Sequence, residues 1–464
     1  MPAGINIQKM RPSEVARLVN STALGFVMEQ KRIYREFSRV GFRIAASDDS
    51  RCINLVKYIA FLVDLKNDPP EVKVGRTYEE RKEAERARNA AQSAAGRDIG
   101  DLPEVFDPDR KEACREDFQK FCESYFKEVF HLGWSPDHLK AIQKIEQSVL
   151  RGGLFALAMP RGSGKSSLAE VAALWALLYG HKEFVMLVGA TETAALEMLD
   201  SIKTELEVNE TLAEDFPEVV FPIHSLEGIA NRCNGQLYKG ERTRITWTSN
   251  EIVLPTIAGS MASGTVVRVA GITGRVRGMK YKKPDGRTIR PSLVIVDDPQ
   301  TSESAGSLEQ TRKRVRVLAG DILGLAGPGQ KIAGIMPCTI IRPGDMAEQI
   351  LSREKHPEWN GERTKLLYQF PKNMKLWDEY ADIRADSLRE NGTIDRATAF
   401  YAAHREEMDE GAQIAWEARY NPDELSAIQH AMNLRFLDEV AFWAEYQNEP
   451  LPEDLGSEEQ LSVD

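Results

Sequence analysis

The chain has 464 residues, 42% hydrophobic and 28% charged, which is enough for two or three domains with a sizeable core. Five scattered cysteines without metal-ligand spacing, an N-terminus (MPAGINIQKMRPSEV) lacking the apolar core of a leader, and no apolar run near the roughly 20 residues that span a bilayer argue against a disulfide scaffold, a secreted protein and a membrane protein. A soluble chain in the cytoplasm is expected. The formal net charge of −11 counts against nucleic acid only on average, because a local basic face can bind phosphate on an acidic protein.

Residues 1–66 hold three amphipathic segments, RPSEVARLVN, MEQKRIYREFSRVGFRI and INLVKYIAFLVDL, with apolar residues three and four apart. From Met1 to Ala46 there are eight Lys or Arg against three Glu. Small basic helices around a break at Gly25 suggest a helix-turn-helix-like module that binds DNA or a partner. A helical cap packed on the rest of the chain is the plainer alternative. Residues 67–105 (NDPPEVKVG, then TYEERKEAERARNAAQSAAGRD) read as a charged linker.

Residues 106–370 open with a helical stretch, EDFQKFCESYFKEVFHLGWSPDHLKAIQKIEQSVL. From about residue 150 short β-rich apolar runs alternate with helical ones, the pattern of a mostly parallel sheet covered by helices. The decisive stretch is LFALAMPRGSGKSSLAEVAALWALLYG: a buried strand, a glycine-bearing loop and an apolar helix. Such a loop cradles phosphates, because its N–H groups and the helix N-terminus point at negative charge. Gly162 and Gly164 let the backbone approach, and Ser163 and Ser167 border the cradle. Lys165 is expected to reach the β- and γ-phosphates of ATP, and the Ser166 hydroxyl to ligate Mg²⁺. Met159 stands where the usual first glycine of this loop would be. Arg161 lies inside the loop, where it can place positive charge on the γ-phosphate within its own subunit.

Downstream, AGITGRVRGMK carries Arg275 and Arg277 on a glycine-flexed loop, with Lys280, Lys282 and Lys283 close behind, basic enough to touch a DNA backbone. Solvated loop charge is the alternative. RPSLVIVDDPQ then gives a continuous apolar strand ending in two carboxylates, where ligands bind in parallel sheets. Asp297 is the candidate Mg²⁺ ligand and Asp298 the group that polarises the attacking water, with Glu303 in reserve. A third strand, KIAGIMPCTII, delivers Thr339 as a candidate γ-phosphate sensor. Residues 371–450 read as a helical closing subdomain whose many aromatics are mostly core, and residues 451–464 as an acidic tail.

Taken together, MPRGSGKSS, then GITGRVRG before LVIVDDPQ, then GIMPCTIIRPGDMAEQ resemble the large terminase subunits of tailed phages, the motors that pump DNA into procapsids. The resemblance covers about residues 125–450. It implies a P-loop ATPase fold of the RecA-like, additional-strand type, flanked by helical segments. It also assigns WSPDHLKAIQKI, with Trp134 and His138, to the adenine side, and makes LRFLDEVAFWAEYQNEP similar to the segment closing the family's ATPase region. Implied cofactors are ATP and Mg²⁺. Implied partners are double-stranded DNA, the portal of the procapsid, a small terminase subunit or a fused equivalent at the N-terminus, and further copies of the chain in a ring. An arginine from one subunit could then complete its neighbour's site. In that family a nuclease normally follows the closing segment; this chain stops at Asp464, so no nuclease activity is expected in it.

Two other readings compete. A helicase-type ATPase needs a second RecA-like domain, for which residues 371–464 are too short and too helical. A nucleotide-gated DNA-binding or defence protein would bind ATP and switch contacts without moving a strand.

Overall fold

The computed structural model describes residues 6–21, 28–29, 31–34, 37, 44–46, 51–67, 83, 97–274, 276–327 and 329–452. The chain divides into two compact units, Met1–Ala91 and Gln92–Asp464, so the boundary falls inside the segment read as a linker. Most of that segment, the greater part of the middle helix of the helix-turn-helix-like reading, Arg275 and the tail from residue 453 lie outside the described residues.

In the first unit, α1 (Pro12–Asn20) starts at a proline, and Glu14 reaches back to accept the Arg11 N–H at 2.7 Å. Along with α2 (Leu55–Asn67) it surrounds a small core of Met10, Val15, Ala16, Ile33, Ile44, Ile53 and Tyr58. Reciprocal bonds of 2.8 and 2.9 Å between the Asn20 amide and the Met28 backbone tie the end of α1 to the next segment.

The second unit is an α/β structure around an eight-stranded sheet. Its helices include α3 (Phe118–Tyr125), α4 (Pro136–Arg151), α5 (Lys165–Leu178), α6 (Glu192–Val208), α7 (Leu308–Arg316), α8 (Met374–Asn391), α9 (Asp395–Asp409) and α10 (Ala427–Leu437). The strands are β1 (Leu154–Ala158), β2 (Phe184–Gly189), β3 (Thr246–Trp247), β4 (Glu251–Val253), β5 (Val266–Gly271), β6 (Leu293–Asp297), β7 (Ala333–Cys338) and β8 (Glu362–Arg363). Their spatial order is β8-β1-β7-β6-β2-β5-β4-β3. The run from β8 to β5 is parallel, and β4 and β3 extend it antiparallel.

Strand side chains alternate between two apolar layers, as a pleat of period two requires. Leu157, Val185, Leu187, Leu293 and Ile295 join α3–α6 on one face. Ala156, Ala158, Met186, Val188, Val294 and Val296 join Leu318, Ile322 and Trp359 on the other. Helix α5 is apolar around its whole girth, with eleven of its residues buried, because it is packed between the sheet and the outer helices. The same alternation has a consequence for the site. Asp297 has the parity of Leu293 and Ile295, so the strand aims it at the α5 side.

Helices α8, α9 and α10 close around Trp377, Tyr380, Tyr401, Met408 and Met432, so these aromatics are core. A two-stranded antiparallel pair, Leu367–Gln369 with Gln413–Ile414, flanks this otherwise helical region. Among the described residues no helix is long and apolar enough to cross a membrane.

Candidate active site

The loop 159–164 leaves β1 beside the end of β7, where the Met159 N–H donates to the Cys338 carbonyl at 3.2 Å. Gly162 and Gly164 both take left-handed backbone, φ +75° and +77°, a region that favours glycine. Gly162 has a second reason to lack a side chain. A Cβ there would lie 2.9 Å from the Arg419 guanidinium, which crosses the loop to donate to the Arg161 carbonyl at 2.5 Å and lies 5.5 Å from the Tyr446 ring. Arg161 is itself clamped: its N–H donates to the Glu445 carbonyl at 2.8 Å and its guanidinium meets the Glu445 carboxylate at 2.5 Å. The closing segment thus grips the loop from above.

From below, the loop rests on His138. Its Nε2 sits 2.9 Å from the Ser163 carbonyl, and its Nδ1 faces the Ser135 N–H and hydroxyl at 3.2 and 2.7 Å. The backbone carbonyl requires a donor at Nε2, which leaves Nδ1 as the acceptor. Burial lowers the His138 pKa below the ordinary histidine value, consistent with that neutral form. His138 is therefore a buried prop. The open cleft next to it, about 610 Å³, is lined by Trp134, Asp137, Lys140, Tyr368 and Trp416. Trp134 Nε1 donates to Glu123 at 2.8 Å, and Tyr368 donates to Asp137 at 2.8 Å.

Helix α5 begins at Lys165, which is 8% exposed and whose ammonium lies 3.5 Å from Asp298. The next residue, Ser166, stands beside Asp297 and favours its charged form, yet that carboxyl is pushed up to about 6, first by burial and then by repulsion from Asp298. Asp297 Oδ1 is buried with no hydrogen-bond partner among the described residues. An orphaned carboxylate oxygen beside a hydroxyl and a second carboxylate is the hard-oxygen donor set that Mg²⁺ takes, so Ser166 and Asp297 fit that ion. The Ser163 hydroxyl, inside the loop, is likewise buried and unpaired. Ser167 is half-buried on the first turn of α5. Asp298 carries φ +35°, unusual for a residue with a Cβ, and its N–H donates to the Pro337 carbonyl at 3.0 Å. Holding that geometry costs on the order of 1 kcal/mol, the kind of strain found at functional positions.

The other candidates are distributed more widely. Thr339, one residue past β7, is 8% exposed; its carbonyl accepts from Gln300, and its hydroxyl has no protein partner among the described residues. Glu303 is exposed on the short helix Ser302–Ala305. Arg277 is 81% exposed and engaged with Asp321 at 2.6 Å. Arg275 lies outside the described residues.

Four supporting residues were not singled out from the sequence. Arg419 and Glu445 hold the loop. Asn448 accepts from the Ile340 N–H and donates to the Thr364 carbonyl, binding the exit of β7 to the segment beyond β8. Arg314, buried on α7, donates to the Pro299 and Ala190 carbonyls at 2.8 and 3.2 Å, while its Nε has no partner. It spans the ends of β6 and β2, directly behind Asp298. A signal for Asn448 existed, a buried-looking Gln-Asn pair after an aromatic run; Arg314 sits in LEQTRKRVR, which reads as solvated charge.

The fold defines an α/β protein with a large, mostly parallel sheet covered by helices. Comparison with protein-family models gives no match, and comparison with curated proteins gives none.

Proposed function

We propose that this chain is a Mg²⁺-dependent ATPase of the P-loop, RecA-like class that drives double-stranded DNA, the work done by the large terminase subunits its motifs resemble. The observation that carries this reading is the convergence of Lys165, Ser166, Asp297 and Asp298 at the start of one helix and the end of one strand. A triphosphate laid on loop 159–164 would meet the N–H groups of the α5 N-terminus, with the Lys165 ammonium turning from Asp298 to the β- and γ-phosphates. Ser166 and Asp297 would hold Mg²⁺, which supplies charge neutralisation at the phosphates. Asp298, freed from Lys165, is the carboxylate placed to orient and deprotonate the attacking water. The base would enter the cleft between Trp134 and Trp416 by stacking. Coupling to movement runs through the closing segment, because Arg419 and Glu445 grip the loop and Asn448 grips Ile340, the residue that follows Thr339.

On this reading the chain works in the bacterial cytoplasm as part of a ring on a procapsid portal. Arg277 is held by Asp321, so a neighbour's site could recruit it only by breaking that pair. The test is ATP hydrolysis by the purified chain, with Mg²⁺ or EDTA and with or without duplex DNA. Mg²⁺-dependent turnover raised by DNA is expected. ATP binding without turnover would instead support the nucleotide-gated switch.

A further inference from the structure

The opposite edge of the sheet carries a second charged site. A cleft of about 770 Å³ opens where β2, β6 and β7 begin. Lys182, Arg290 and Lys331 lie just upstream of β2, β6 and β7, which start at Phe184, Leu293 and Ala333, and these three strands are neighbours. The cations therefore stand in a row across the sheet. No carboxylate pairs with any of the three among the described residues, although the whole chain has a net charge of −11.

The acids nearby are already answered. Glu183 takes the buried Lys283 at 2.5 Å and Arg287 at 3.4 Å, and Arg287 also binds Asp285 at 2.8 Å. These bonds fix the hairpin Tyr281–Lys282/Thr288–Ile289 against the cleft, leaving Lys280 and Lys282 exposed beside it. Arg290 is held along its stem by the turn at Gly327, where a Cβ would stand 2.9 Å from Arg290 Cδ. Burial alone lowers the Lys182 pKa, so an anion would relieve a charge that no carboxylate among the described residues pairs with.

The spacing suits a polyanion. Two strand intervals of about 4.8 Å place the row across about 10 Å. A row of that length can meet more than one phosphate of a DNA strand, whose charges recur along the axis.

We propose that Lys182, Arg290 and Lys331 bind the phosphate backbone of duplex DNA at the edge of the sheet opposite the nucleotide loop. The assignment rests on the DNA-handling function proposed above. It places the DNA contact roughly one strand length, about 17–20 Å, from the nucleotide loop.

The test is fluorescence anisotropy of a short labelled duplex, titrated over a range of salt, with the full chain and with Arg290→Glu/Lys331→Glu. The substitutions should weaken binding roughly tenfold or more at low salt and reduce the slope of log K against log salt by about 2. Thermal unfolding checks the fold, and Arg290→Gln/Lys331→Gln serves if the reversals unfold the chain. Unchanged affinity and slope, with wild-type DNA binding intact, would overturn this site alone. A wild-type chain that binds no duplex at any salt would overturn the DNA-handling function as well. Weaker binding of inorganic phosphate in the variants, with DNA binding unaffected, would make the cleft a small-anion site and overturn its assignment to DNA.

Discussion

At the C-terminal edge of the sheet the cations around the loop have partners within the chain: Lys165 has Asp298, Arg161 has Glu445, and Arg314 has two carbonyls. At the N-terminal edge Lys182, Arg290 and Lys331 line a cleft whose carboxylate, Glu183, is taken by Lys283 and Arg287. A ligand at the first edge must exchange internal contacts for its own, so geometry selects it. A ligand at the second meets charge that is already available, so counterion release governs its binding. On the proposed reading, one edge takes a specific small molecule and the other a long uniform one.

Five substitutions probe the first edge, and the largest effect is expected at Lys165. Lys165→Ala should lower ATP turnover by about 10³-fold, since it removes the phosphate-gripping charge. Salt-dependent duplex affinity should be retained. Loss of both in a folded variant would break the comparison. Asp298→Asn should bind ATP and lose turnover by about 10²-fold or more; full turnover, measured in the same assay, would shift the catalytic role to Glu303.

Arg314→Ala tests whether the prop behind Asp298 is structural. It strands the Pro299 and Ala190 carbonyls, each costing about 1–3 kcal/mol when buried and unpaired. A drop of about 2–4 kcal/mol in denaturant unfolding is expected.

Glu170, on α5, accepts from Ser201 at 2.7 Å, and its pKa is raised to about 7, first by burial and then by the carboxylates of Asp297 and Glu205. A carboxyl raised in the fold contributes stability that is complete below its ordinary value of 4.5 and is lost as pH rises through about 7. Glu170→Gln, which can still accept from Ser201, should stabilise the chain above pH 7 by on the order of 1–2 kcal/mol. It should do little near pH 4.5, as thermal unfolding at the two pH values will show. The smallest effect belongs to Glu445→Gln. An ion pair this exposed is worth about 0–1 kcal/mol, so the change in melting should be slight and should vanish at high salt.

Much of the site could be read from local sequence. LFALA followed by RGSGKSS names its own strand, loop and helix, and LVIVDD names a buried strand with carboxylates at its exit, because each signal is complete within about ten residues. The pleat then settles which carboxylate faces α5. What could not be read depends on distant partners. Arg419 reaches a loop 258 positions away and Glu445 one 284 positions away, and no pattern of nearby residues encodes such pairings. His138 carries a signal of another kind: Ser135 and His138 sit at helix-capping spacing, which marks the start of α4 while hiding what the ring's second nitrogen does. Two-residue strands such as Thr246–Trp247 and Gln413–Ile414 are too short for any periodicity to register.

Two of the side chains that hold the closing segment are neutral amides. Gln447 exchanges two bonds with the Leu367 backbone, at 2.9 and 2.8 Å, and Asn448 links Ile340 with Thr364. Both are buried, at 1% and 0% exposure. Their strength does not depend on ionisation, and no mobile ion competes for them. If the chain slides along a dense line of phosphates, as proposed, it works in a strongly fluctuating ionic atmosphere. There the Arg161–Glu445 contact can loosen and re-form, while the amides keep the two halves of the grip in register.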